Sequence, residues 1–146
     1  MDAIDRRILA LLVEDGRRTF GDVGERVGLS APAVKRRVDR LRATGALEGF
    51  TAVVDHSAMG ARTEALVELF FRGGTTLGEV AEALREHPEV VEAWSVTGEA
   101  DAIARVRTAD NADLERLIID LQRDGRVERT RSQIVMSHLV ASARAG

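Results

Sequence analysis

At 146 residues, the chain has room for one ordinary domain or two small ones. Its 45% hydrophobic and 31% charged residues run along the whole length, which excludes a disordered polymer, and with no cysteine it has no disulfides, thiolate metal sites or cysteine nucleophiles. A net charge of −3 excludes a protein that coats nucleic acid everywhere, yet residues 1–50 hold ten Arg or Lys against eight Asp or Glu, and residues 51–146 hold eleven against sixteen.

No run approaches the roughly 18 apolar residues of a membrane span, and residues 1–7 lack the pattern of a signal peptide. The expectation is a cytoplasmic protein with no membrane partner. His56, His87 and His138 are not spaced as metal ligands, so no metal and no cofactor is expected.

Asp2 caps a first helix in which Ile4, Ile8, Leu11 and Leu12 share a face, and Asp15-Gly16 stops it. Thr19, with Asp22 three residues on, starts a short second helix through Val23 and Val27 that ends at Gly28. Ser30 caps a third, with Pro32 tolerated in its first turn, a stripe of Ala31, Val34, Val38 and Leu41, and a stop at Gly45. Two short helices around the turn Gly28-Leu29 make a helix-turn-helix, and residues 47–54 read as a strand completing a winged form.

At 100° per residue, the side of the third helix opposite its stripe carries Pro32, Arg36, Asp39 and Arg40, with Ala33, Lys35 and Arg37 on the flanks. This basic segment from Ser30 to Arg42 is where an anion binds, and it faces a DNA groove; the alternative is a solvated charged face that binds nothing. Phosphates fall to Lys35, Arg36, Arg37, Arg40 and Arg42, and base edges to Ala33, Arg36 and Arg40.

Residues 55–62 lack periodicity and read as a linker. Beyond it the pattern predicts a strand over 63–71, a helix capped by Thr76 and packed through Leu77, Val80, Ala81 and Leu84, and strands over 90–97 and 102–108 around the turn 98–101. A helix over 111–123 through Leu114, Leu117, Ile118 and Leu121, and a strand over 127–136, complete the order βαββαβ. The fold class is therefore α+β: a three-helix winged helix-turn-helix domain (1–50), a strand and linker (51–62), and a ferredoxin-like sheet domain (63–146). Both helices cover one sheet face. The other is expected to be apolar and to be buried by a second copy in a homodimer, and Trp94 is expected to pack on this sheet.

The stretch Asp2-Ala3-Ile4-Asp5-Arg6-Arg7-Ile8-Leu9, the run Asp15-Gly16-Arg17, the segment from Gly28-Leu29-Ser30 to Val34, Arg37-Val38, Arg40-Leu41, Gly45, Gly49-Phe50 and the turn Gly98-Glu99-Ala100-Asp101 resemble, in this order, the Lrp/AsnC (feast/famine) regulators over nearly the whole chain. The resemblance implies a transcriptional regulator of double-stranded DNA. It also implies dimers joined through the C-terminal domains, often assembled to tetramers or octamers, and a small effector, usually an amino acid, near the hairpin turn. Carried over, Gly98, Glu99 and Ala100 offer backbone N–H groups to its carboxylate, Asp101 accepts its ammonium, and Thr130 and Ser132 of a neighbouring subunit add hydroxyls. Many relatives place an aromatic residue where this chain has Ala100. Two other readings stay open: an effector-independent, nucleoid-type regulator of the same fold, and an enzyme akin to the haem-pathway decarboxylases that resemble this family, against which stand the few histidines and the missing tyrosine.

Overall fold

A computed structural model describes residues 1–140 as two compact units, one built on Met1–Val54 and the other on Asp55–His138. Residues 141–146 of the expected second domain lie outside the described residues.

The first unit contains α1 (Ala3–Glu14), α2 (Phe20–Val27) and α3 (Ala31–Ala43). Each starts where a side chain satisfies a backbone N–H that the helix leaves unpaired. Asp2 Oδ1 accepts from Asp5 N–H at 2.8 Å while Asp5 Oδ2 accepts from Asp2 N–H at 3.0 Å, and Thr19 and Ser30 cap the N–H groups of Asp22 and Ala33. Gly28 ends α2 at φ 72°, a left-handed conformation that glycine adopts without strain. Ile8, Leu12, Val23, Val34 and Val38 form the core, each worth about 1.5–3 kcal/mol of burial. Gly24 lies hard against the turn: a Cβ there would stand 2.3 Å from the Leu29 carbonyl oxygen.

The expected strand over 47–54 does not form. These residues are irregular after the Leu47 N–H bonds the Leu41 carbonyl, and Phe50, Val53 and Val54 stand exposed. A strand exists only with a neighbour to complete its ladder, and no other described segment supplies one.

The second unit pairs β1 (Thr63–Phe71), β2 (Val90–Ser95), β3 (Ala102–Thr108) and β4 (Val127–Ile134) in the order β2-β3-β1-β4, all antiparallel, with α4 (Leu77–Arg85) and α5 (Asn111–Arg123) between them in sequence. This is the expected βαββαβ order, with β2 and β4 ending two residues earlier than the pattern predicts. Alternation places Ala65, Val67 and Leu69 of β1 and Ala102, Ala104 and Val106 of β3 under Val80, Leu84, Leu114, Leu117 and Leu121 of the helices. Leu77 departs from expectation: it is 58% exposed, bordering a cavity of about 380 Å³ between α4 and β2, and Ala83 is buried instead.

The uncovered face differs in part from the sequence reading. It is mixed rather than purely apolar: Leu66, Phe70, Trp94 and Ile103 share it with an ion-pair network in which Glu92, Arg105, Glu64 and Arg107 alternate in sign across three strands at 3.5, 2.7 and 3.0 Å. Arg131 reaches Glu68 at 2.5 Å, and Arg129 lies over the Phe70 ring, 3.7 Å from its centroid. Trp94 stands opposite Ile103 and is 48% exposed. The paired charges arise because Glu64 of β1 meets Arg105 and Arg107 on β3, while Glu68 meets Arg131 on β4.

Candidate functional site

Along α3, Val34, Val38 and Leu41 are buried, so the helix turns its opposite side outward. Ser30, Pro32, Lys35, Arg36, Arg40 and Arg42 are exposed, and Ala33 and Arg37 are half-buried. The five cations are not equivalent. Lys35 pairs with Asp39 at 2.7 Å along the helix, an exposed pair that other anions readily displace. Arg36 and Arg42 make no ion pair with the described residues.

Arg37 and Arg40 turn back toward the start of α1. Arg37 Nη1 donates to Asp2 Oδ2 at 2.7 Å and Asp5 Oδ1 at 2.8 Å, and Arg40 Nη2 donates to both Asp5 oxygens, at 2.9 and 2.8 Å. The Asp5 side chain is 1% exposed, Arg37 24% and Arg40 57%. The Arg37 bond, and then the N–H of Asp5, lower the Asp2 carboxyl to about 2; the N–H of Asp2, and then Arg37, lower that of Asp5. Asp5 was invisible as a site residue in sequence, because its opening pattern reads as a helix cap and its arginines lie 32 and 35 residues away.

Both carboxyls ionise more easily in the folded chain than in the unfolded one, where Asp titrates near 3.9. Their contribution to stability is thus complete above about pH 4 and disappears as pH falls toward 2. Acid titration of the helical signal is expected to show the first unit loosening across this window, and Asp2→Asn to flatten that dependence. Identical acid curves for the two proteins would refute the assignment.

The turn between β2 and β3 is the second site. Gly98 adopts φ 122°, Ala100 is 8% exposed, and Glu99 projects outward to meet Arg131 at 3.5 Å. Asp101 closes the turn onto β1: its N–H donates to the Leu69 carbonyl at 3.0 Å and its Oδ2 accepts from Phe71 N–H at 2.7 Å. A concavity of about 710 Å³ opens beside the turn, with Glu68, Thr97, Glu99, Ala100, Ile103 and Arg131 on its walls. Sequence reasoning missed Glu68, Ile103 and Arg131, which strand register alone brings here. Thr130 and Ser132 register with Leu69 and Val67 and so belong to the helix-covered side, where Thr130 accepts a bond from Gln122. Within one chain they do not join the turn. Among the described residues no acidic or histidine cluster could hold a metal, and no helix is long and apolar enough to cross a membrane.

Comparison with known proteins covers both units. The AsnC-type helix-turn-helix domain matches residues 1–42 and the Lrp/AsnC ligand binding domain residues 64–145. The HTH-type transcriptional regulator Rv2324 of Mycobacterium tuberculosis is 45% identical over 96% of this chain and 95% of its own. Among solved structures, the feast or famine regulatory protein Rv3291c of M. tuberculosis, complexed with L-methionine, superposes with a TM-score of 0.91 at 31% identity over 98% of this chain and 97% of that one. The transcriptional regulator NMB0573 of Neisseria meningitidis, in complex with L-Met, gives 0.90 at 26% identity over 97% and 94%. With both halves matched in order, the chain belongs to the Lrp/AsnC family of helix-turn-helix transcriptional regulators.

Proposed function

We propose that this protein binds promoter DNA in the cytoplasm as a homodimer or larger assembly, and that an amino acid at the turn 98–101 modulates its assembly or its grip on DNA. In this reading residues 1–50 contact DNA, residues 51–62 connect, and residues 63–146 assemble and bind the effector. The observation that carries it is the exposed side of α3, where Arg36, Arg40 and Arg42 project beside Ser30, Pro32 and Ala33 from a helix whose other side is buried. Such a surface meets phosphates through its cations and base edges through the side chains nearest the groove floor. One unit of this size binds weakly, and joining two makes the second engagement intramolecular, which favours paired half-sites.

In this reading the effector meets the backbone N–H groups of Gly98, Glu99 and Ala100 and, on Asp101, the oxygen besides the one bound to Phe71. These suit a carboxylate and an ammonium. The L-methionine complexes of two structural neighbours support an amino acid as the class. Thr130 and Ser132 would have to arrive from another copy. The small Ala100 leaves more room on the floor of the site than an aromatic residue. The proposal is of a binding protein and not an enzyme.

Arg36→Glu is expected to weaken binding to a duplex selected by the wild-type chain by about five- to 150-fold at fixed salt, since a base or phosphate contact turned repulsive loses about 1–3 kcal/mol. Unchanged affinity would remove α3 from the interface. Thermal melting with each amino acid in turn tests the effector, because a ligand of the native state raises the Tm. If none raises it, the effector-independent reading replaces this one.

A further inference from the structure

We propose that Asp5 is a positioning residue for DNA binding: from beneath α3 it holds Arg40 by one guanidinium nitrogen, leaving the other donors free for a backbone phosphate, and together with Asp2 it withdraws Arg37 from the DNA-contacting set. The inference rests on the DNA reading above and assigns different jobs to two arginines that the helical wheel treats alike.

The geometry separates them. Arg37 is largely covered, and its Nη1 is shared between two carboxylates. A phosphate approaching it would have to displace both. Arg40 is more than half exposed, and only its Nη2 is engaged, with both Asp5 oxygens. Its Nη1 and Nε remain, and its side chain borders a concavity of about 390 Å³ shared with Leu41, Thr44 and Ala46 of the α3 end and with Met1, Asp2 and Asp5. A guanidinium presents donors in a rigid planar fork, so fixing one nitrogen aims the others. Arg40 then loses little freedom when it meets phosphate. With Asp5 at 1% exposure, its charge is spent inside this clasp rather than displayed to DNA.

Charge counting alone predicts the opposite sign for the decisive variant. Removing a negative charge beside the DNA-facing helix should tighten binding to a polyanion. If Asp5 positions Arg40, Asp5→Asn should weaken it.

The experiment measures Kd for the full chain on a duplex selected from a random pool by the wild-type protein, over a range of salt concentrations, with thermal melting to confirm that each variant is folded. Arg40→Gln is expected to reduce the slope of log K against log salt by about one, the signature of one lost phosphate contact, and Arg37→Gln to leave it unchanged. Asp5→Asn should weaken binding as Arg40→Gln does, and the double variant should be no weaker than Arg40→Gln alone. Where Asp5→Asn does not fold, Arg40→Lys decides: it keeps the charge, but its single nitrogen cannot hold Asp5 and a phosphate in the same way, so binding should fall. Binding by Asp5→Asn that is tighter or unchanged, full affinity in Arg40→Lys, or a slope loss in Arg37→Gln equal to that in Arg40→Gln would each overturn the proposal. A wild-type chain with no salt-dependent binding overturns the DNA reading itself, and this inference with it.

Discussion

Gly24→Ala is expected to destabilise the first unit by about 3 kcal/mol, a loss typical of severe overpacking. Helix propensity predicts the reverse, because alanine inside a helix is favoured over glycine by about 1 kcal/mol. The contact decides: the added Cβ would sit 2.3 Å from the Leu29 carbonyl oxygen, and that oxygen belongs to backbone, which cannot rotate aside. Relief requires α2 to move away from the turn leading into α3, breaking the Leu29 N–H bond to the Gly24 carbonyl at 2.9 Å. A unit of about 50 residues has little stability in reserve, so loss of structure at ordinary temperature is the expected outcome. Thermal melting of the helical signal measures it, and loss of DNA binding should accompany the fall. Gly28→Asn provides the contrast. That position has positive φ but open space around it, so the penalty there is only conformational, and asparagine tolerates it well. A melting temperature for Gly24→Ala at or above the wild-type value would show that the turn is not packed as described.

Leu69→Ala is the second large effect, about 3 kcal/mol lost from the sheet unit. Leu69 is fully buried on β1, a central strand flanked by β3 and β4, where neighbours held by ladders on both sides cannot collapse into the space left. Denaturant unfolding read through Trp94, the only tryptophan, reports on this unit. Leu66→Ala, three residues earlier and so on the uncovered face, should cost less than half as much because Leu66 is only half-buried. Equal losses would contradict the assignment of faces. Leu69 also anchors the turn, since its carbonyl accepts from Asp101 N–H, and Asp101 in turn holds Phe71 N–H. A packing change at Leu69 should therefore also blunt any shift in melting temperature caused by an amino acid.

What could be read from sequence was local. Asp2, Thr19, Ser30 and Thr76 announced their helices because a cap and the N–H it satisfies are three residues apart. The succession of strands and helices along the chain followed from alternation and from a hairpin turn with glycine where φ is positive. Interactions across long separations were not legible. The bonds from Arg37 and Arg40 to Asp5 depend on how α1 crosses α3, and a wheel drawn for α3 alone shows them only as two more cations. Sequence shows Asp101 as a turn residue after Gly98, but not that one of its oxygens accepts from the N–H of Phe71, 30 residues earlier. Residues 47–54 have the composition of a strand but no described neighbour to pair with, and composition does not supply a neighbour.

The uncovered sheet face has a consequence for recognition. Along Glu92, Arg105, Glu64 and Arg107 the sign of charge reverses at every step, with Glu68 and Arg131 repeating the alternation beside them. A greasy plane lets an apposed surface slide with little change in energy. A checkerboard behaves like a keyed edge: displacement by one strand spacing brings like charges together, which repel, so an apposed surface has few registers in which it can rest.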